Sequence, residues 1–126
     1  MKLFRMMFFS LLLVVIALPA FSAGRLTYYC STDIPWCELM KKEFEKRTGI
    51  RVAMTRASSG ETLTKIRAEK SNPKGDVWWG GTGDPHLQAA EEGLSQPYTS
   101  PKLKELHDWA ITPHKATGGK TVGIYL

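Results

Sequence analysis

Apolar and polar residues alternate along the first two thirds of the chain in a pattern that predicts three strands, each followed by a helix. Segments rich in β-forming residues are followed by segments in which apolar residues recur every three or four positions, as they do in amphipathic helices. The predicted strands are residues 25–30, 50–55 and 77–79, and the predicted helices are residues 36–48, 61–71 and 86–92. Strands and helices therefore alternate strictly.

The same pattern predicts which helical side chains face the core. Apolar residues in the first helix recur at i, i+3, i+4 and i+7 with charged residues opposite, which is typical of a helix lying on a sheet. The residues predicted to face inward are Trp36, Cys37, Leu39, Met40 and Phe44 in the first helix, Leu63, Ile66 and Ala68 in the second, and Leu87 and Ala90 in the third. Gly49 and Gly93 are expected to end the first and third helices.

Alternating strands and helices with short connections predict an α/β fold built on a parallel sheet. Parallel strands need crossovers of this length, and right-handed crossovers bring the loops that follow the strands to one edge of the sheet. Those loops are residues 31–35, 56–60 and 80–84, and they are rich in hydroxyl groups and glycine. We therefore expect them to converge on one crevice.

After Gly93 the pattern loosens. Residues 102–110 predict a helix with Leu103, Leu106 and Trp109 on one side, and residues 120–126 predict a further strand at which the chain stops. A strand that ends at the last residue indicates a truncated reading frame or a fragment.

The N-terminal segment is typical of a signal peptide. Basic Lys2 and Arg5 precede an apolar run of about thirteen residues, shorter than the roughly 20 that span a bilayer. Small residues then permit cleavage after Ser22, and cleavage after Gly24 also satisfies the rule. Residues 1–22 are thus predicted to be a signal peptide and residues 23–126 the folding domain, with an uncleaved signal anchor as the alternative.

Charge and cysteine usage fit an exported domain. When Lys2 and Arg5 are left out, 15 of the 17 basic residues remain beside 12 acidic ones, so the formal net charge is +3, which is weakly basic. These charges are interspersed on helix faces, which argues against a nucleic-acid partner, although a mildly positive crevice favours an anionic ligand. Cys30 and Cys37 are close enough in sequence to form a local disulfide in an oxidising compartment, and two free buried thiols are the alternative.

The loop residues predict a seat for an anion. Ser58, Ser59 and Gly60 offer hydroxyl and N–H groups at the start of the second helix, where the helix dipole is positive. The alternative for the serines is a role as helix cap, since Ser58 with Glu61 has the capping-box pattern and Ser59 is an equally good N-cap. The matching residues after the first strand are Ser31, Thr32 and Asp33, with the role of N-cap as the alternative for Asp33.

The third loop contributes mainly its backbone to this prediction. The backbone of Gly81 and Thr82 is the expected contact, whereas Asp84 before a proline is expected to be a helix cap. Trp78 and Trp79 suit the wall of a sugar site, but alternation along a strand requires at least one of them to lie in the core.

Catalytic and metal motifs are lacking in the sequence. His86, His107 and His114 have no metal-ligand spacing and are expected at the surface or at helix ends. The glycines at residues 80–83 lack the lysine and the spacing of a phosphate-binding P-loop, and there is no nucleophile elbow. We therefore predict neither an enzyme nor a resident metal or cofactor.

An ordered set of short motifs resembles the extracellular solute-binding proteins of ABC importers. These motifs are residues 29–33 (Tyr-Cys-Ser-Thr-Asp), 38–49, 58–61 (Ser-Ser-Gly-Glu), 66–69, 72–77 (Asn-Pro-Lys-Gly-Asp-Val) and 92–94. The resemblance is to the group that binds ferric iron, sugar phosphates and aminoethylphosphonate. It covers essentially residues 26–125.

This resemblance implies a monomeric, two-lobed clamp of the type II periplasmic-binding-protein fold, of which this chain is part of the N-terminal lobe. The implied function is capture of a small anionic solute in the periplasm and its delivery to an ABC permease. A phosphorylated sugar or phosphonate is the favoured solute and a ferric complex the other possibility. The alternative class is a secreted or signal-anchored interaction domain without a transport role.

Overall fold

The computed structural model describes residues 24–123, so the predicted signal peptide and the last three residues lie outside the described part. Its strands are β1 (Arg25–Cys30), β2 (Arg51–Arg56) and β3 (Val77–Trp79). Its helices are α1 (Ile34–Thr48), α2 (Ser59–Ala68), α3 (Gly83–Glu91) and α4 (Asp108–Ala116), with a short 3-10 helix at Leu103–Glu105. The predicted alternation of strands and helices is confirmed from β1 to α3.

The described strands form one parallel sheet in the order β2-β1-β3. Leu26 lies opposite Val52 across the first pair, and Tyr28 lies opposite Val77 across the second. The predicted α/β fold with a parallel sheet is thus confirmed, and the carboxyl ends of all these strands lie at one edge.

The ends of the first two helices follow from their sequences. Helix α1 begins at Ile34, two residues earlier than predicted, with Pro35 in its first turn. It ends at Gly49, whose φ of 71° lets its N–H donate to the carbonyl of Glu45 at 2.8 Å. Helix α2 begins with the capping box that Ser58 and Glu61 predict.

One face of the sheet packs against α1 through a small apolar cluster of Tyr28, Cys30, Cys37 and Val52. Cys30 and Cys37 form a disulfide bond with their Cα atoms 5.9 Å apart, which agrees with the predicted pairing. This bond ties the end of β1 to the first turn of α1.

The predicted inward face of α1 is wrong for most of its residues. Cys37 is buried, whereas Trp36, Leu39, Met40 and Phe44 are exposed, Leu39 by 57%. Cys37 is buried because it is bonded to Cys30, whereas Trp36, Leu39 and Met40 lie farther round the helix. Phe44, seven residues after Cys37, lies on nearly the same side of the helix and is 36% exposed. The apolar period identified residues that share a face of the helix. It does not show whether another element covers that face.

The opposite face of the sheet is covered by α2 and α3. Tyr29, Leu63, Ala89 and Ala90 are buried there, and Arg67 of α2 pairs with Glu92, just beyond α3. The predicted inward position of Ala68 is wrong, because Ala68 is the last residue of α2 and is exposed. None of the helices within residues 24–123 is long and apolar enough to cross a membrane.

The C-terminal part departs most from prediction. Residues 102–110 do not form one helix, because Leu106 and His107 are extended and separate the 3-10 helix from α4. Trp109, predicted to share an apolar side with two leucines, is half exposed. Of the predicted strand at residues 120–126, the described residues 120–123 form no strand, and the rest lies outside the described part.

Candidate functional site

The three predicted loops meet at the carboxyl edge of the sheet, and the closest approach is at Gly81. A Cβ atom on Gly81 would collide with Ser59 Oγ and would lie 3.0 Å from Ser31 Cβ. Gly81 also has a φ of +86°, which other residues rarely adopt. The glycine therefore allows the third loop to contact the other two.

Ser58 and Ser59 have different roles at the start of α2. Ser58 Oγ accepts a hydrogen bond from the backbone N–H of Glu61 at 3.3 Å, and the Ser58 N–H donates to Glu61 Oε2 at 2.9 Å, so the Ser58 side chain serves as the cap. Ser59 Oγ instead accepts a hydrogen bond from the backbone N–H of Thr82 at 3.1 Å. Within residues 24–123 the hydroxyl proton of Ser59 has no acceptor, which leaves it available to a ligand.

Gly60 lies in the first turn of α2 and is exposed. The N–H groups of a helix's first turn have no acceptor within the helix, so those of Ser59 and Gly60 can donate to a bound anion. The Gly60 carbonyl accepts from the Thr64 hydroxyl at 3.0 Å, as is common along a helix.

Ser31 is buried in the wall behind this edge. It is 9% exposed, and its Oγ accepts a hydrogen bond from Trp78 Nε1 at 2.9 Å. The same oxygen lies 3.0 Å from Oγ1 of buried Thr62. Ser31 therefore links the first loop to β3 and α2.

Thr32 and Asp33 complete the first loop. Arg56 Nε donates to the Thr32 carbonyl at 3.1 Å, and a Cβ on Gly80 would lie 3.0 Å from Thr32 Cβ. Asp33 occupies the N-cap position of α1, but its side chain makes no capping hydrogen bond. Its exposed carboxylate is thus not used by the helix.

Helix α3 starts earlier than predicted. It begins at Gly83 with Thr82 as its N-cap, which places Asp84 inside the first turn and corrects the prediction that Asp84 is the cap. The Thr82 N–H donates to Ser59, so the start of α3 is bonded to the start of α2.

His86, predicted at the surface or at a helix end, is the fourth residue of α3 and is half-buried against the third loop. Its Nε2 lies 2.9 Å from the Gly80 carbonyl, and its ring stacks on Trp78 with centroids 3.8 Å apart. Because a carbonyl only accepts, Nε2 carries a proton. Burial lowers the pKa of His86, and the bond to Gly80 offsets this only in part. Sequence reasoning missed this role because the stack joins residues of different elements.

Arg56 supplies positive charge at this edge. It is the single basic residue in residues 31–33, 56–60 and 80–84. Hydrogen bonds from Ser58, with a smaller contribution from the charge of Arg56, lower the pKa of Glu61, so Glu61 remains ionised. Arg56 was not predicted as a site residue, although its position at the carboxyl end of β2 was a usable signal.

The remaining candidate chemistry is limited. No group of three or more His, Cys, Asp or Glu side chains in the described ranges is placed to hold a metal ion. The carboxyl edge of the sheet presents hydroxyl and N–H donors together with one guanidinium group.

Residues 26–112 match the family model described as bacterial extracellular solute-binding protein. The chain belongs to the bacterial extracellular solute-binding proteins. The family resemblance found in the sequence is thus confirmed.

Relatives that are at least 38% identical to this chain support the same family. An uncharacterised protein from Haemophilus influenzae is 42% identical over 103 residues, which are 82% of this chain and 30% of the relative. The periplasmic binding protein P5PA is 38% identical with a TM-score of 0.71, over 76% of this chain and 31% of P5PA.

A further solved structure is the periplasmic binding protein AfuA from Actinobacillus pleuropneumoniae with exogenous fructose-6-phosphate bound. It is 45% identical with a TM-score of 0.67, over 69% of this chain and 27% of AfuA. This solute-binding protein therefore spans less than a third of the length of each of these relatives.

Proposed function

We propose that this chain contributes one wall of the solute site of an ABC importer's binding protein, and that the solute is a phosphorylated sugar. The observation that carries the proposal is the contact of three loops at Gly81, beside the free hydroxyl proton of Ser59. The site residues remain those predicted from the sequence, with Arg56 added.

The donors at this edge suit a phosphate group. Ser59 provides a hydroxyl donor, and Ser59 and Gly60 provide N–H groups at a positive helix end. Arg56 adds a guanidinium group, whose fork of N–H donors matches two phosphate oxygens. Hydrogen bonds to a charged oxygen are about twice as strong as neutral ones, so these donors select an anion over a neutral sugar.

Acceptors beside these donors suit the rest of a sugar. The carboxylate of Asp33 is exposed and makes no capping bond, so it can accept from a sugar hydroxyl. The fructose-6-phosphate bound to AfuA, which is 45% identical, supports this ligand class. A phosphonate fits the same donors, whereas ferric iron requires phenolate and carboxylate oxygens.

The remaining parts of the proposal follow from the family. Residues 1–22 direct export to the periplasm, and residues 23–126 form part of the N-terminal lobe, which acts as a monomer. The partner is an ABC permease, and the chain is a binding protein without catalytic activity or cofactor. Because a single wall buries less of a ligand than a closed clamp, we expect this chain to bind more weakly than its longer relatives.

An interaction domain without a transport role is the second candidate. The exposed apolar face of α1, formed by Trp36, Leu39, Met40 and Phe44, favours it, because contiguous exposed apolar residues often mark interaction surfaces.

The test is an NMR titration of the purified chain with fructose 6-phosphate, with fructose as the neutral control. We expect fructose 6-phosphate, but not fructose, to shift the amide signals of Ser59, Gly60 and Thr82. Substituting Ser59→Ala should weaken binding about tenfold, because it removes a hydrogen bond to a charged group.

A matched control is Ser71→Ala, an exposed serine beyond the other end of α2, which should leave the affinity unchanged. Equal affinity for fructose and its phosphate, or no shift at these amides, would contradict the proposed function and favour the interaction domain.

A further inference from the structure

Trp78 connects three elements behind the site. It is the middle residue of β3, and its Nε1–H donates to Ser31 Oγ at 2.9 Å. Ser31 Oγ in turn lies 3.0 Å from Thr62 Oγ1, and both residues are buried. The indole therefore fixes β3 to the first loop and, through Ser31, to α2.

The face of the same indole is occupied by His86 from α3. The two rings stack with centroids 3.8 Å apart and planes 27° apart. His86 Nε2 also donates to the Gly80 carbonyl at 2.9 Å, which lies two residues after Trp78. Trp78 and His86 thus enclose the start of the turn at residues 80–82.

That turn has little freedom between these contacts. Gly80 and Gly81 have φ values of +81° and +86°, and each has a close neighbour where a Cβ atom would stand. Its last residue, Thr82, donates its N–H to Ser59 Oγ at 3.1 Å. This last bond uses a lone pair of Ser59 and leaves the hydroxyl proton for the solute.

We propose that Trp78 and His86 are positioning residues for solute binding, although neither of them touches the solute. They hold the turn at residues 80–82 so that the Thr82 N–H reaches Ser59 and orients its hydroxyl towards the crevice. This inference rests on the proposed function, because it describes how the same site is preorganised. A preorganised site binds more tightly, since less ordering is required when the ligand arrives.

The test combines amide hydrogen exchange at Thr82 with the affinity for fructose 6-phosphate, both measured on the full chain. Trp78→Phe keeps a ring for the stack but removes the N–H that bonds Ser31. We expect Thr82 exchange to accelerate at least about fivefold and affinity to fall about five- to tenfold, the usual effect of losing one hydrogen bond.

Trp79→Phe is the matched control. Trp79 packs on the other face of the sheet, against the apolar cluster that contains Tyr28. This variant should lower thermal stability but leave Thr82 exchange and affinity within about twofold, since its indole has no part in the turn.

Three further variants separate positioning from general stability. His86→Ala should resemble Trp78→Phe, whereas His86→Gln, which keeps a side-chain N–H donor for Gly80, should restore part of the affinity. The affinity lost in the double variant Ser31→Ala, Trp78→Phe should be smaller than the sum of the losses in the two single variants, because the two substitutions share the Trp78–Ser31 hydrogen bond.

The outcomes are distinguishable. The proposal is wrong if Trp78→Phe leaves Thr82 exchange unchanged, or if Trp79→Phe lowers the affinity equally. If the unchanged chain does not bind fructose 6-phosphate while Thr82 exchange depends on Trp78 and His86 but not on Trp79, the proposed solute is wrong and the positioning of the turn stands.

Discussion

The two faces of the sheet are held together by different interactions. The α1 face is held by apolar packing and by one covalent bond, with Tyr28 and Val52 packed around the Cys30–Cys37 disulfide. The face under α2 and α3 carries polar links, in which Ser31 bonds Trp78 and Tyr29 donates to Glu69 at 2.7 Å. The hydrogen bond between Trp78 and Ser31 lies on the face that also supports the third loop, whereas on the α1 side Glu45 accepts from the Val52 N–H at 2.8 Å.

This difference separates stability from site geometry. Apolar packing tolerates small shifts, whereas a hydrogen bond weakens steeply when its distance or angle changes. We therefore expect substitutions on the α1 face to change mainly the free energy of unfolding, and substitutions on the other face to change the position of the third loop.

The largest effect should come from removing the disulfide. Replacing Cys30 and Cys37 together by serine should lower the free energy of unfolding by about 2 kcal/mol or more, because the short cross-link restricts the unfolded chain and both residues are fully buried. Urea denaturation measures the loss. If the α1 face contributes to stability and not to the position of the third loop, the Thr82 amide signal stays in place in the folded variant. A large shift of that signal would contradict this separation.

Acidification should act on the other face. The pKa of His86 is lowered by burial, so the unfolded state binds its proton at a higher pH than the folded state. The stabilising contribution of neutral His86 is therefore fully present above the unfolded pKa of about 6.5 and is lost as pH falls through the lower folded value.

The measurement is the urea midpoint from pH 8 to pH 5, together with amide exchange of residues on both faces. We expect the midpoint to fall on acidification, and we expect the protection factors, which correct for the slower intrinsic exchange at lower pH, to fall first near residues 80–86. His86→Gln should remove this part of the pH dependence, and an unchanged profile in that variant would assign the pH effect to other groups.

The smallest effect is expected on the outer face of α1. Leu39→Gln should change the free energy of unfolding by less than about 0.5 kcal/mol, because Leu39 is 57% exposed. The same substitution at buried Leu63, on the other face, serves as the contrast and should be strongly destabilising. A large loss at Leu39 in urea denaturation would mean that this face is covered in solution.

Much of the fold could be predicted because it depends on local chemistry. Alternating residues and a following turn defined β1 at its observed bounds, and a serine cap was expected for α2, which Ser58 provides, although the helix begins at Ser59 and not at the predicted residue 61. The convergence of the loops followed from the handedness of parallel crossovers. These features need only neighbours in sequence and a general rule of topology.

The features that were missed depend on contacts between distant residues. The stack of His86 on Trp78 and the bond of Trp78 to Ser31 join separate elements, so no local pattern reveals them. The exposure of Leu39 depends on what packs against α1 and not on the period of the helix. In residues 102–110, apolar spacing at i and i+3 fitted one helix but did not show the extended residues between two shorter ones.

The two faces differ in how far apart along the chain their contacting residues lie, and this difference affects the order of folding. Cys30 and Cys37 are 7 residues apart, whereas Ser31 and Trp78, which are hydrogen-bonded on the other face, are 47 residues apart. Short loops close within about 100 ns, and longer loops carry a larger entropic cost before their contacts form. The thiols can therefore meet before the turn at residues 80–82 has an anchor, so we expect the face packed against α1 to assemble first and the third loop to be set last.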